Sequence, residues 1–154
     1  MSALLRVAEL NAAYAATIDA DRLEAWPDFF VDDCLYKITS ADNHKRGYTA
    51  GIIYADSRAM LRDRITALRT ANIYERQSYR HIVGLPVLGT VGPDGIAAET
   101  PFLVLRIMRD GRTDLFASGL YTDRICDEGA SLRFVERVVV CDSGHFDTLL
   151  AIPL

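Results

Sequence analysis

The residues with the widest chemical scope are three histidines, His44, His81 and His145, and three cysteines, Cys34, Cys126 and Cys141. A Rieske cluster takes two Cys and two His on its irons, and a mononuclear oxygenase iron takes two His and a carboxylate. Neither Cys-x-His nor Cys-x-x-His occurs, and Cys141-x-x-x-His145 has no second pair to complete it. A Gly-x-Gly-x-x-Gly dinucleotide turn and a Walker loop are missing as well. The spacing predicts no cofactor and no metal in this chain, and no redox chemistry of its own.

Acid–base chemistry has one candidate. His81 shares a strand face with Tyr79, Val83 and Leu85. If that face lines a closed interior, His81 could act as a general base with Asp33 or Tyr36 as its partner. The competing reading is a structural histidine, hydrogen-bonded among aromatic rings. Arg106, Tyr121 and Glu136 fall on one sheet face and could form an internal ion pair, which more often specifies packing than chemistry. The tract 72–80 holds Tyr74, Arg76 and Tyr79, residue types enriched at interface hot spots. Its alternative is a polar connection with core-packed tyrosines. Trp26 reads as core.

These residues must be positioned by a helical first half and a stranded second half. Over residues 3–18, Val7, Leu10, Tyr14 and Ile18 recur at spacings of three and four, the apolar stripe of a helix. Asp19 can cap a short second helix with Leu23 and Trp26 inward and Pro27 at its end. Residues 34–39 alternate as a strand. Asp56 can cap a third helix with Met60, Leu61, Ile65 and Leu68 inward. Its outer face, Arg58, Arg62, Asp63 and Arg69, reads as solvated.

From residue 78 the β runs are separated by Gly92-Pro93-Asp94-Gly95, Asp110-Gly111 and Asp127-Glu128-Gly129. Asp-Gly is a strong hairpin signal, because a type I′ turn needs positive φ at both central residues. The expectation is a four-stranded antiparallel meander over 78–91, 96–109, 112–126 and 131–141, with a further extended segment, 149–154, at its edge.

The 154 residues fit one domain, 1–154, able to bury roughly 70% of its unfolded surface without a disulfide or metal staple. Half the residues are hydrophobic, a quarter are charged, and the net charge is −4, which argues against a nucleic-acid surface. Arg6 and Glu9 interrupt the N-terminal apolar run, and no stretch approaches the ~18 apolar residues of a membrane helix. The expected location is the cytoplasm.

Taking the Asp110-Gly111 hairpin as centre assigns two sheet faces. One holds Phe102, Val104, Arg106, Leu115, Ala117, Tyr121, Phe134, Val138 and Val140. The other holds Leu103, Leu105, Ile107, Phe116, Leu120, Val135, Val139 and Cys141. Both are largely apolar, whereas a free antiparallel sheet commonly leaves one face polar. Three helices cover one face. The convex face, with Leu105 and Val139 on it, is therefore expected to meet another protein; the alternative is that the C-terminal segment and loops cover it.

The order of two helices, a strand, a third helix and a curled meander resembles the α+β, cone-shaped fold of nuclear-transport-factor-like (cystatin-like) domains. Within that fold, Trp26-x-x-Phe-Phe-x-x-Asp-Cys-x-Tyr36, Arg80-His81, and the strings 64–76, 79–86, 100–108, 141–143 and 147–154 are similar to the small (beta) subunits of aromatic-ring-hydroxylating dioxygenases. The resemblance runs over essentially the whole chain. It implies a heterohexamer of three large (alpha) and three small (beta) subunits. The large subunit would hold the Rieske [2Fe-2S] cluster and mononuclear Fe(II), with a separate reductase supplying NADH electrons. The substrate implied is an aryl carboxylate of the terephthalate type. The small subunit would be structural, with no catalytic residues carried over. Its expected contacts are Tyr74, Arg76, Tyr79, Leu105 and Val139. The rival is a stand-alone cone-fold isomerase, dehydratase or cyclase using His81.

Overall fold

A computed structural model describes residues 1–49, 51–71, 77–144 and 152–154. Ser2 caps α1 (Ala3–Asp19), its Oγ accepting the Leu5 N–H at 3.2 Å. The predicted stripe, Val7, Leu10, Tyr14 and Ile18, is buried. A short 3₁₀ helix, Leu23–Phe29, follows and buries Leu23, Trp26 and Pro27. Pro27 lies inside it rather than ending it, because so short a helix loses little by one missing N–H. Asp19 is the last residue of α1 and caps nothing.

Next come β1 (Phe30–Ser40), α2 (Ala41–Lys45), β2 (Ile53–Ala55) and α3 (Arg58–Thr70). Neither α2 nor β2 was expected from the sequence. Ser57, not Asp56, caps α3 by accepting the Met60 N–H at 3.2 Å. Leu61, Ile65 and Leu68 face inward, while Met60, one position off the stripe, is exposed. The outer arginines are not merely solvated. Arg58 pairs with Asp32, Arg62 with Asp28 at 3.7 Å, and Arg69 with Asp21 and Glu24 at 3.0 and 2.7 Å. Exposed pairs add little energy each, but these set α3 against the 3₁₀ helix and β1.

The remaining strands are β3 (Gln77–Val83), β4 (Val87–Gly92), β5 (Gly95–Met108), β6 (Thr113–Asp127) and β7 (Leu132–Cys141). The sheet order is β2-β1-β7-β6-β5-β3, with β4 also on β5. The single strand expected over 78–91 is broken into β3 and β4. Pro86 cannot donate to a ladder, and both pieces pair with different stretches of β5. The sheet is mixed rather than wholly antiparallel, since β1 runs parallel to β7.

Two β-bulges set which side chains point inward. Between Val104–Ala117 and Leu105–Leu115 the extra residue is Phe116. Phe116 turns inward and stacks on Tyr79, centroids 5.4 Å apart, and Leu115 is left 63% exposed. Both reverse the faces assigned from alternation. Between Ile125–Phe134 and Arg124–Glu136 the extra residue is Val135. Beyond it Arg137, Val139 and Cys141 are buried, Val139 and Cys141 within the hydrophobic core cluster. Val139 is therefore core, not outer surface. A slip of one residue moves every following side chain to the opposite face.

The core is aromatic. Trp26 meets Tyr36 edge-to-face at 5.0 Å and Tyr14 meets Phe134 at 5.7 Å, contacts of about 0.5–1.5 kcal/mol each beyond area burial. Ile152 and Leu154 enter this core instead of extending the sheet edge. Tyr14 and Tyr36 hydroxyls donate to the Leu154 main-chain oxygen at 2.7 and 3.0 Å, and the Leu154 N–H donates to Tyr36 Oη at 3.1 Å. Residues 149–151 of the expected 149–154 segment lie outside the described residues.

Candidate functional site

His81 sits on β3 with its side chain wholly buried. Its Nδ1 lies 2.7 Å from Asp19 Oδ1, and its backbone N–H donates to Asp19 Oδ2 at 2.8 Å. A carboxylate only accepts, so the shared ring proton belongs to Nδ1. Asp19 thereby staples the end of α1 to β3. The Nε2 atom is buried, with no hydrogen-bond partner among the described residues. The partners expected from the sequence are not used. Asp33 is exposed on β1, and the Tyr36 hydroxyl is committed to Leu154. The only sequence sign of Asp19 was its place one residue past Ile18, where it reads as a cap for the next helix.

The expected Arg106–Tyr121–Glu136 cluster does not form. Arg106 pairs with Asp114 at 3.0 Å and lies 4.8 Å over the Phe116 ring. Glu136 turns to Arg124 at 3.5 Å. The buried ion pair at the centre is instead Arg137 with Asp123, which are ladder partners on β7 and β6. Sequence reasoning missed it, although an arginine directly before the apolar run 138–141 was a visible signal.

Burial pushes the Cys34 thiol up to about 11 and the Cys141 thiol up to about 12. Both stay protonated and act as small core groups rather than nucleophiles or ligands. Burial likewise pushes the Tyr79 hydroxyl well up, against the pull of Arg106. His44 is exposed on α2 and His145 lies outside the described residues. Among the described residues no three His, Cys, Asp or Glu side chains gather at one point. The donor set does not fit a Rieske cluster or a facial iron triad.

The convex face keeps an apolar row. Leu105 pairs with Leu115 across β5 and β6, and Ile82 pairs with Leu103 across β3 and β5. Leu105 and Leu103 are half-buried, Ile82 is 54% exposed, and Leu120 is exposed. Tyr79 does not belong to this surface; it faces inward and is 3% exposed. Tyr74 and Arg76 lie outside the described residues.

Comparison with known proteins accords with this architecture. The profile of the ring hydroxylating beta subunit family matches residues 13–147. The chain is 53% and 54% identical to subunits beta 1 and beta 2 of the terminal oxygenase component of terephthalate 1,2-dioxygenase from a Comamonas species, covering 97% of each chain. Its structure matches a solved beta subunit, assigned to an aromatic-ring-hydroxylating dioxygenase of Novosphingobium aromaticivorans, with a TM-score of 0.90 at 39% identity. That match covers 99% of this chain and 97% of the other. The α+β cone, its mixed sheet wrapped on α1, is thus the fold of these relatives, and the chain belongs to the family of ring-hydroxylating dioxygenase beta subunits.

Proposed function

We propose that this chain, a single domain over 1–154, is the structural beta subunit of a terephthalate 1,2-dioxygenase terminal oxygenase. The observation that carries this reading is identity above one half, over nearly the full length, to two beta subunits of that enzyme. The reaction would be terephthalate, O2, NADH and a proton giving a cis-dihydrodiol dicarboxylate and NAD+. Its Rieske cluster and mononuclear iron would reside in the large alpha subunit, and a reductase would relay the electrons. Three alpha and three beta subunits would assemble in the cytoplasm. No second reading is advanced, since Asp33 is exposed and Tyr36 is bound to Leu154.

In this assembly the beta subunit supplies a surface. The convex row of Ile82, Leu105, Leu115 and Leu120 is apolar and partly open, as expected of an area that meets a partner. Co-expression with the large subunit, followed by sizing and an iron assay, tests the reading. The pair is expected to co-purify with all iron in the complex and none in the isolated beta chain. Leu115→Asp should abolish co-purification while leaving the isolated chain within about 0.5 kcal/mol of the parent, as for an exposed site. Stoichiometric iron on the isolated chain, or an intact complex with Leu115→Asp, would overturn the respective part.

A further inference from the structure

The convex row ends in two opposite charges. Alternation along β3 and β5 turns Arg80 and Glu99 outward, beside the inward-facing His81 and Thr100. Arg80 stands opposite Leu105, which in turn stands opposite Leu115. Glu99 stands opposite Thr122; it is six residues from Leu105 and so about 20 Å along the strand. Both side chains are exposed, and neither has an ion-pair partner among the described residues. The outward positions of β5 between them, Pro101 and Leu103, are uncharged, as are Ile82 and Leu120 beside these.

Opposite signs at the two ends exclude a uniformly charged partner. An anionic surface would draw Arg80 and repel Glu99, and a cationic one would do the reverse. Closing a protein over the row takes both charges partly out of water, which is costly unless each meets a counter-charge. A twofold pairing of two copies would set each Arg80 against the other's Glu99. Three beta chains cannot pair off two by two, so that contact does not build an assembly of three alpha and three beta subunits. Granted the subunit reading above, we infer that the large subunit docks on this face with a carboxylate against Arg80 and a cationic side chain against Glu99. At about 20 Å the two contacts lie beyond the roughly 8 Å screening length of physiological salt and act independently. Together they fix the direction in which the large subunit lies along β5.

Full-length parent and variant chains, distinguished by mass, would compete for the large subunit in one co-expression. Intact mass spectrometry would compare their ratio in the purified complex with that in the lysate. Arg80→Glu and Glu99→Arg should each be under-represented roughly tenfold or more, while Arg80→Lys, which keeps its charge, should stay within about threefold of the parent. The double reversal, Arg80→Glu with Glu99→Arg, separates the two partners. Against the unchanged charges of the large subunit its losses should multiply, to roughly a hundredfold. Between two copies of the doubly reversed chain the pairing would be restored. Thermal unfolding of each isolated variant checks its fold, which substitutions at exposed positions are expected to leave intact. Equal incorporation of both single reversals, beside loss of incorporation with Leu115→Asp, would overturn the charge assignment and leave the subunit reading standing. Parent-level incorporation of the double reversal would overturn it too. So would an isolated parent chain that sizes as a dimer, is split by Arg80→Glu and re-forms with the double reversal. No complex with the parent chain would remove the subunit reading and the charge assignment together.

Discussion

Arg137→Met tests the account of the core most directly. The Arg137 Nε and Nη2 donate to the two oxygens of Asp123 at 2.8 Å each, and Nη2 also reaches Asn11 Oδ1. Asn11 in turn donates to Thr100 Oγ1 at 3.1 Å. The guanidinium lies 3.8, 3.9 and 4.4 Å from the ring centroids of Tyr121, Phe134 and Tyr14. Neither charged side chain of the pair is exposed, so salt screens the interaction weakly. Burial works against the Arg137 charge and Asp123 more than restores it, while burial pushes the Asp123 carboxyl up against the pull of Arg137. Methionine keeps much of the side-chain length and leaves the carboxylate bare.

Breaking such a pair from one side costs about 3–5 kcal/mol. A chain of this size has on the order of 5–15 kcal/mol in all. The melting temperature should fall by roughly 6–20 °C, at about 2–4 °C per kcal/mol. The sign of the pH dependence follows from the carboxyl. Without the guanidinium its folded value stands further above the ordinary 3.8, so the folded state binds a proton that the unfolded chain releases. The deficit is therefore full above the raised value and shrinks as pH falls towards the ordinary one. Urea unfolding at pH 8 and pH 5 should show the larger deficit at pH 8. Adding Asp123→Asn should recover a substantial part at pH 8, because no bare charge remains. A loss under about 1 kcal/mol, a pH-independent loss, or no recovery in the double variant would refute the reasoning.

Two further substitutions probe how the cone is closed and how tightly its strands pack. Tyr36→Phe removes both hydrogen bonds between Tyr36 and Leu154 and leaves the Leu154 N–H without its acceptor; a loss of about 1–3 kcal/mol is expected, and an unchanged urea midpoint would contradict the anchoring role. Gly119→Ala places a Cβ against the Val140 carbonyl oxygen, so β6 and β7 must part locally. A cost of about 1–3 kcal/mol or more is expected by thermal unfolding, and a neutral result would show that the pairing is looser than described.

The helices were legible because their signal averages over many residues. Four apolar positions of α1 and three of α3 repeat at helical spacing, so the one misplaced residue, Met60, did not change either assignment. Strand faces have no such tolerance. Alternation carried past an unseen bulge inverts everything after it, and the Phe116 and Val135 bulges lie in the short stretches Leu115-Phe116-Ala117 and Phe134-Val135, which hold no Gly or Pro to mark them. His81 was found because a histidine on an apolar strand is conspicuous. Asp19 was not, because an acidic residue after a helix has a commonplace reading as a cap.

The Val135 bulge also explains why the wrong ion pair was drawn. Counting by twos from Phe134 carries Glu136, Val138 and Val140 inward and turns Arg137 to the convex face. One extra residue exchanges the sets, and Arg137 then stands directly opposite Asp123. Both arrangements bury one charge from β7 among aromatic rings. In the unbulged strand that charge is Glu136, which the π faces of Tyr14, Tyr121 and Phe134 repel. In the bulged strand it is a guanidinium, which those faces attract and which Asp123 meets with two parallel hydrogen bonds. The register with the lower electrostatic cost is the one adopted. The bulge thus belongs to the same device as the buried pair, and Val139 is core because Arg137 had to face inward.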